Sequence, residues 1–187
     1  MALPFPYPAE QTDRKIRMVP AKPQTEDPSP AEFRAAMRRF VGNCSLITAG
    51  SGAARNGLVV TSALSLSADP PLILACINRA SSSWQLLKTA GCFGLSSLGA
   101  GHRAVAERFS GQAGHQGAAR FDGLDWVSAV TGAPLLADAV VGFDCSVEEM
   151  LDRASHSILI GRIRAIRTTT GQGALIYWDG AYHSLKG

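Results

Sequence analysis

The chain has 187 residues, of which 46% are hydrophobic and 18% charged, with a formal net charge of +3. That is enough sequence for one globular domain. The positive balance falls short of the concentrated basic face of a nucleic-acid binder, and no apolar run approaches the roughly 20 residues of a membrane-spanning helix. Cys44, Cys76, Cys92 and Cys145 are widely spaced, form no Cys-x-x-Cys pair, and read as buried small hydrophobes in a reducing compartment. The start, Met-Ala-Leu-Pro-Phe-Pro-Tyr-Pro, has neither a basic leader nor an apolar block, so a cytoplasmic location is expected.

Residues 1–28 hold six prolines among polar residues, Pro4, Pro6, Pro8, Pro20, Pro23 and Pro28, which predicts a disordered or surface-hugging arm before a single domain over 29–187. Ser29-Pro-Ala-Glu32 is a capping box with proline at the first helical position. Phe33, Met37 and Phe40 follow at helical spacing and are expected in the core, with Gly42 ending the helix. Cys44 to Ala49 reads as a strand, and Gly50 to Gly57 as a hairpin loop whose turn signal is the Asn56-Gly57 pair, returning the chain into a second strand, Leu58 to Ser62. From Leu64 to Ser67 leucines alternate with serines, so the pattern predicts a leucine face toward the core and a hydroxyl face toward a flat polar ligand. Pro70-Pro71 can sit only at an edge or in a loop, and the apolar run Leu72 to Ile77 follows as a buried strand.

Serines 81 to 83 can cap a helix through Trp84, Leu87 and Lys88. Cys92 to Leu98 is then strand and Ala104 to Phe109 a short helix. Gly111 to Ala119 is glycine-rich and expected to act as a mobile lid. Gly142 to Leu151, His156 to Arg167, and a hairpin of Ala174 to Trp178 with Ala181 to Leu185 around Asp179-Gly180 complete the strands. Short strands with few helices predict a mostly β fold, a small antiparallel barrel with peripheral helices. Arg162 and Arg164 share a strand face and read as a solvated charged edge.

Gly99-Ala-Gly101-His-Arg-Ala104 matches a dinucleotide-binding fingerprint, but the second buried parallel strand that such a fold needs is missing. No phosphate-binding P-loop, no serine-nucleophile elbow and no paired metal ligands occur. The serine cluster at 81–83, beside Arg79, reads either as a phosphate cradle or as a plain helix cap. His156, at a strand start after a turn, reads either as a cleft-facing group or as a structural one.

Asn56-Gly-Leu-Val-Val-Thr-Ser-Ala-Leu-Ser-Leu-Ser-Ala-Asp-Pro-Pro-Leu-Ile-Leu-Ala-Cys-Ile-Asn78, then Ala90 to Leu98, Glu107-Arg-Phe-Ser-Gly111 with Arg120-Phe121, Gly132-Ala-Pro-Leu135, and Ser155-His-Ser-Ile-Leu-Ile-Gly-Arg-Ile163 together resemble the flavin reductase-like family. These are small reductase components of two-component flavin monooxygenases with an FMN-binding split barrel. The resemblance spans about residues 31 to 186. It implies a homodimer that binds FMN or FAD, takes hydride from NADH or NADPH, and passes reduced flavin to a separate oxygenase.

It further implies that Thr61, Ser62, Ala63, Leu64, Ser65 and Ser67 line the flavin ring. Arg79, Ser81 and Ser83 would lie near the phosphate, with Asn56, Phe109 and Arg120 completing the cofactor site, and His156 would face the nicotinamide. Ser155 and Arg162 depart from the acidic residues or threonine common at those positions, which bears on nicotinamide preference. Two other functions fit the same barrel: a flavin-binding module without reductase activity, and a pyridoxamine-phosphate-oxidase-like enzyme.

Overall fold

The structure, a computed structural model, describes residues 27–111, 114–171 and 173–187. The proline-rich arm lies almost wholly outside the described residues, as does part of the glycine-rich lid segment. Helix α1 spans Pro30–Met37, entered through the predicted capping box: the Ser29 hydroxyl accepts from the Glu32 N–H, and the Glu32 carboxylate accepts from the Ser29 N–H at 2.9 Å.

The strands are β1 Gly42–Asn43, β2 Ser45–Ala49, β3 Asn56–Val60, β4 Leu64–Ala68, β5 Pro71–Asn78 and β6 Cys92–Ser97, followed by β7 Trp126–Val127, β8 Leu135–Leu136, β9 Val141–Arg153, β10 His156–Thr168, β11 Ala174–Trp178 and β12 Ala181–Leu185. Helix α2 is Trp84–Thr89 and α3 is Arg103–Phe109. Every pairing is antiparallel. A seven-stranded sheet runs β3-β2-β6-β9-β10-β5-β4, with a three-stranded sheet β1-β11-β12 and a small β7-β8 pair beside it.

The long sheet curls so that its two ends meet. Ser62, just past β3, donates its hydroxyl to the Cys76 carbonyl at 3.3 Å and accepts the Cys76 N–H at 3.0 Å, tying one end to β5 near the other. Alternation along β5 sends Ile73, Ala75 and Ile77 inward, and β10 contributes Leu159 to the same interior, where Ile47, Leu87, Phe93 and Leu95 pack. Strand β2 is buried along its whole length because both faces are covered. Ile47 points into this barrel core, while Leu46 joins a second core with Phe109, Phe121 and Leu175 between barrel, α3 and the β11–β12 hairpin.

The predicted architecture is present, but several local expectations change. The Asn56-Gly57 pair is not the turn; a 3-10 turn at Gly52–Ala54 reverses the chain, and Asn56 already begins β3. Gly57 is needed there for another reason, since a Cβ would lie 3.0 Å from the Thr48 side chain and 3.1 Å from the Phe109 ring. Helix α1 ends before Phe40, and none of its residues is buried: Phe33, Met37 and Phe40 are exposed rather than core. The amphipathic spacing is real, but its apolar stripe faces an open cleft in the single chain.

Leu64 and Leu66 are likewise exposed, because β4 is an edge strand with a bulge between Ser65 and Ser67. Gly99 forms an isolated antiparallel bridge with Ala174, and among the described residues every strand pairing is antiparallel, so they form no dinucleotide-binding βαβ unit. On the charged edge, Arg162 holds Glu148 by two bonds of 2.8 and 2.7 Å, and Arg164 donates to Ser146 at 2.8 Å. This pairing holds the Glu148 carboxyl below the usual carboxylate range.

Candidate functional site

Two cavities lie along the chain from β3 into β4 and the outer face of β5. At one end lies a cleft of about 720 Å³, whose walls include Met37, Phe40, Val41, Thr61, Ser62, Ala63, Leu64, Cys76 and Tyr177, with Arg34 and Arg38 among its lining. This volume is within the range of small-molecule sites. Its shape depends on close approach at Gly42, where a Cβ would sit 2.7 Å from Thr61 Cβ. The Ala63 carbonyl is held by Asn43 Nδ2 at 2.6 Å, which fixes the Thr61 to Leu64 backbone at the cleft wall.

At the other end is a smaller polar pocket of about 330 Å³ lined by Leu58, Val59, Asn78, Ala80, Ser81, Ser82, Phe109, Ser110 and Arg120. Cys76 in the cleft and Asn78 in the pocket are two residues apart on one strand face, a separation of roughly 7 Å. The buried Arg120 guanidinium donates to the Gly57 carbonyl at 2.7 Å and, through Nε, to the His115 carbonyl at 3.1 Å. Among the described residues no carboxylate forms an ion pair with it, and burial lowers its affinity for its proton. A buried cation held by carbonyls, beside three serines, is a setting that favours an anion.

The structure brings the predicted residues together in part. Thr61, Ser62, Ala63 and Leu64 line the cleft, and Ser81, Phe109 and Arg120 line the pocket. Ser65 and Ser67 lie beyond the cleft on the paired edge strand, so the expected hydroxyl face is replaced by the Leu64 side chain and backbone. The Ser62 hydroxyl is already spent on Cys76.

Ser83 is fully buried and donates to the Gly57 carbonyl at 2.9 Å, so it braces β3 rather than facing the pocket. Asn56 also braces, giving Nδ2 to the Ser82 carbonyl at 3.3 Å and accepting the Gly57 N–H at 2.8 Å. Arg79 points away from the pocket, to the β9–β10 turn, where Nη1 donates to the Ala154 carbonyl at 3.2 Å. His156 is exposed at the start of β10, in register with Asn78, and its Nδ1 lies 2.9 Å from Ser155 Oγ.

Sequence reasoning did not place Met37, Phe40, Val41, Tyr177 and Cys76 at the cleft, or Asn78 and Ser110 at the pocket, and it named Ser82 only as part of the serine cluster. The helical stripe was visible but was assigned to the core. Ser110 follows Phe109 directly, and Ser82 sits inside the serine run, so both had a local signal.

The strands form a small antiparallel split barrel with an apolar cleft and, beside it, a polar pocket that holds a buried arginine. Residues 37–186 match the model of the flavin reductase like domain. FMN reductase (NADH) RutF 2 of Rhizobium rhizogenes is 35% identical over 167 residues, covering 89% of this chain and 94% of that protein. BorF, the flavin reductase component of a bacterial two-component tryptophan halogenase, superposes with a TM-score of 0.78 at 29% identity, over 85% of this chain and 99% of BorF. The NADH:FAD oxidoreductase SgcE6 of Streptomyces globisporus C-1027, solved with NAD and FAD fragments, gives 0.76 at 26% identity over 86% and 96%. The chain belongs to the flavin reductase-like family.

Proposed function

We propose that the protein is an NADH-dependent flavin reductase, acting on FMN in the cytoplasm as a homodimer and releasing reduced flavin to a separate oxygenase component. The observation that carries this reading is a pair of cavities along one strand face: an apolar cleft large enough for a ring system, and beside it a pocket whose buried cation and serines suit a phosphate. A flavin bound across these cavities would supply the acceptance of hydride from the nicotinamide. The chain's own residues then have only to bind and orient. Backbone groups of Thr61 to Leu64 meet the polar ring edge, Cys76 and Leu64 cover the ring, and Ser81, Ser82 and Arg120 hold the phosphate. His156, across from Asn78 on the same sheet, is the group assigned to the nicotinamide carboxamide.

The likeness to FMN reductase (NADH) RutF 2 supports NADH and FMN, and the likeness to BorF, the reductase component of a two-component halogenase, supports delivery of reduced flavin to a separate component. Four free thiols support a reducing compartment. Among the described residues no helix is long and apolar enough to cross a membrane. A second copy is supported by the outer sheet face, where Leu74 of β5 pairs with Ile160 of β10 on one side and the exposed Leu64 on the other, with Leu72 and Ile158 on the same face.

Anaerobic stopped-flow mixing of protein, FMN and NADH tests the proposal. Rapid loss of the flavin's visible absorbance, faster than without protein, is expected. Flavin that binds and stays oxidised would instead assign the chain as a flavin-binding module.

A further inference from the structure

The turn that presents His156 is built from a non-glycine residue in the left-handed region, Ala154 at φ 47, so its neighbours must hold it in place. Those neighbours form one continuous network. Arg79 reaches across from the end of β5: its backbone N–H donates to the Ser155 carbonyl at 3.0 Å, and its Nη1 to the Ala154 carbonyl at 3.2 Å. Its Nη2 lies 4.0 Å from the Asp152 carboxylate, and its guanidinium sits 5.7 Å from the Trp84 ring centroid.

Asp152 accepts the Ser157 hydroxyl at 2.6 Å, and the fully buried Ser157 accepts Trp84 Nε1 at 2.8 Å. The residues on both sides of His156 are therefore gripped, Ser155 through its carbonyl and Ser157 through its hydroxyl. The imidazole Nδ1 lies 2.9 Å from Ser155 Oγ, within the same turn.

We infer that Arg79, with Asp152, Ser157 and Trp84, is a positioning device that sets the β9–β10 turn so that His156 meets the nicotinamide, and that Arg79 is not a phosphate ligand. The inference rests on the proposed nicotinamide role of His156. The polar pocket agrees with the second half: Asn78 and Ala80 line it, and Arg79 between them does not.

Steady-state kinetics and flavin titrations on Arg79→Gln, Arg79→Lys, Asp152→Asn, His156→Ala and the double variant Arg79→Gln/His156→Ala test this. Arg79→Gln should lower kcat/KM for NADH by about tenfold, mainly through KM, and Arg79→Lys should recover part of the loss. Asp152→Asn, which keeps the shape of the side chain, should reproduce the pattern. In the His156→Ala background Arg79→Gln should have no further effect, because both changes remove one contact.

Affinities for FMN and for riboflavin should stay at parent values in Arg79→Gln. Loss of FMN affinity with riboflavin affinity kept would make Arg79 a phosphate ligand and overturn the inference. So would losses that simply add in the double variant. If His156→Ala leaves kcat/KM for NADH at the parent value, the nicotinamide reading itself fails and the positioning role falls with it. If His156→Ala lowers kcat/KM while Arg79→Gln does not, only the positioning role fails.

Discussion

Cys76 stands in the wall of the cleft, and its thiol is the reactive side chain best placed to report on what enters there. The other cysteines supply internal controls. Cys44 and Cys145 are fully buried, and burial pushes their thiols up to about 11 and about 12, so neither yields much thiolate at neutral pH. Alkylation of the folded protein followed by peptide mass mapping should label Cys76 and Cys92 and spare the other two. Saturating FMN should slow labelling of Cys76 and leave Cys92 unchanged. Equal protection of both, or none, would place the flavin outside the cleft.

At this scale the sequence was a partial guide. Thr61 to Leu64, Ser81 and Arg120 were named from the motif and line the two cavities, whereas Arg79, named with the adjoining serines, turns away to the β9–β10 turn. A strand end sends neighbouring side chains in opposite directions, and that geometry is invisible without the β9–β10 turn.

Among the elements, the β9–β10 hairpin and the strands it packs on explain a glycine that sequence alone could only quote as part of a motif. A Cβ on Gly161 would sit 2.6 Å from Phe93 Cε1 and 3.0 Å from Cys145 Cβ, and Phe93 is buried at 1% exposure with no room to retreat. Gly161→Ala is therefore an overpacking change, expected to cost about 1–3 kcal/mol in denaturant unfolding. Unchanged stability would show that the barrel core yields more easily than its packing implies.

The same hairpin carries an acid-sensitive contact. The Ser157 hydroxyl holds the Asp152 carboxyl below its ordinary value, with Arg79 adding to the shift. A depressed folded-state pKa gives stability that is present above the unfolded value, near 3.9, and lost as pH falls through the folded one. The stability difference between the parent and Asp152→Asn should thus be constant from neutral pH down to about pH 5 and close on further acidification. A difference that grows on acidification would contradict the Ser157 contact.

The main strands and hairpin positions along the chain were legible because period-two alternation and turn residues recur locally, whereas the order of strands in the sheet was not. Helix α1 was legible as a helix but not in its placement. A stripe such as Phe33, Met37 and Phe40 signals only that something apolar must cover it, not what does.

For the whole molecule, that uncovered stripe is the strongest constraint. Phe33, Met37, Phe40, Val41, Leu64 and Leu66 are each 45% or more exposed in the single chain, and Met37, Phe40, Val41 and Leu64 also line the proposed flavin cleft. Large apolar side chains around an open cleft mark an interaction surface. On the dimer proposal a second copy covers the outer sheet face and α1, burying on the order of 1,200–2,000 Å² and completing the wall over the ring.

Phe40→Asp places a charge in that interface without touching the barrel core, since Phe40 is 71% exposed. Sedimentation should show the parent as a dimer and Phe40→Asp shifted toward monomer, with unchanged far-UV circular dichroism. FMN affinity should fall at least about tenfold, because the half-open cleft no longer excludes water from the ring. Protein concentration should restore both together. If dimer and flavin affinity separate, so that Phe40→Asp is monomeric yet binds FMN like the parent, the cleft is complete within one chain and the dimer has another purpose.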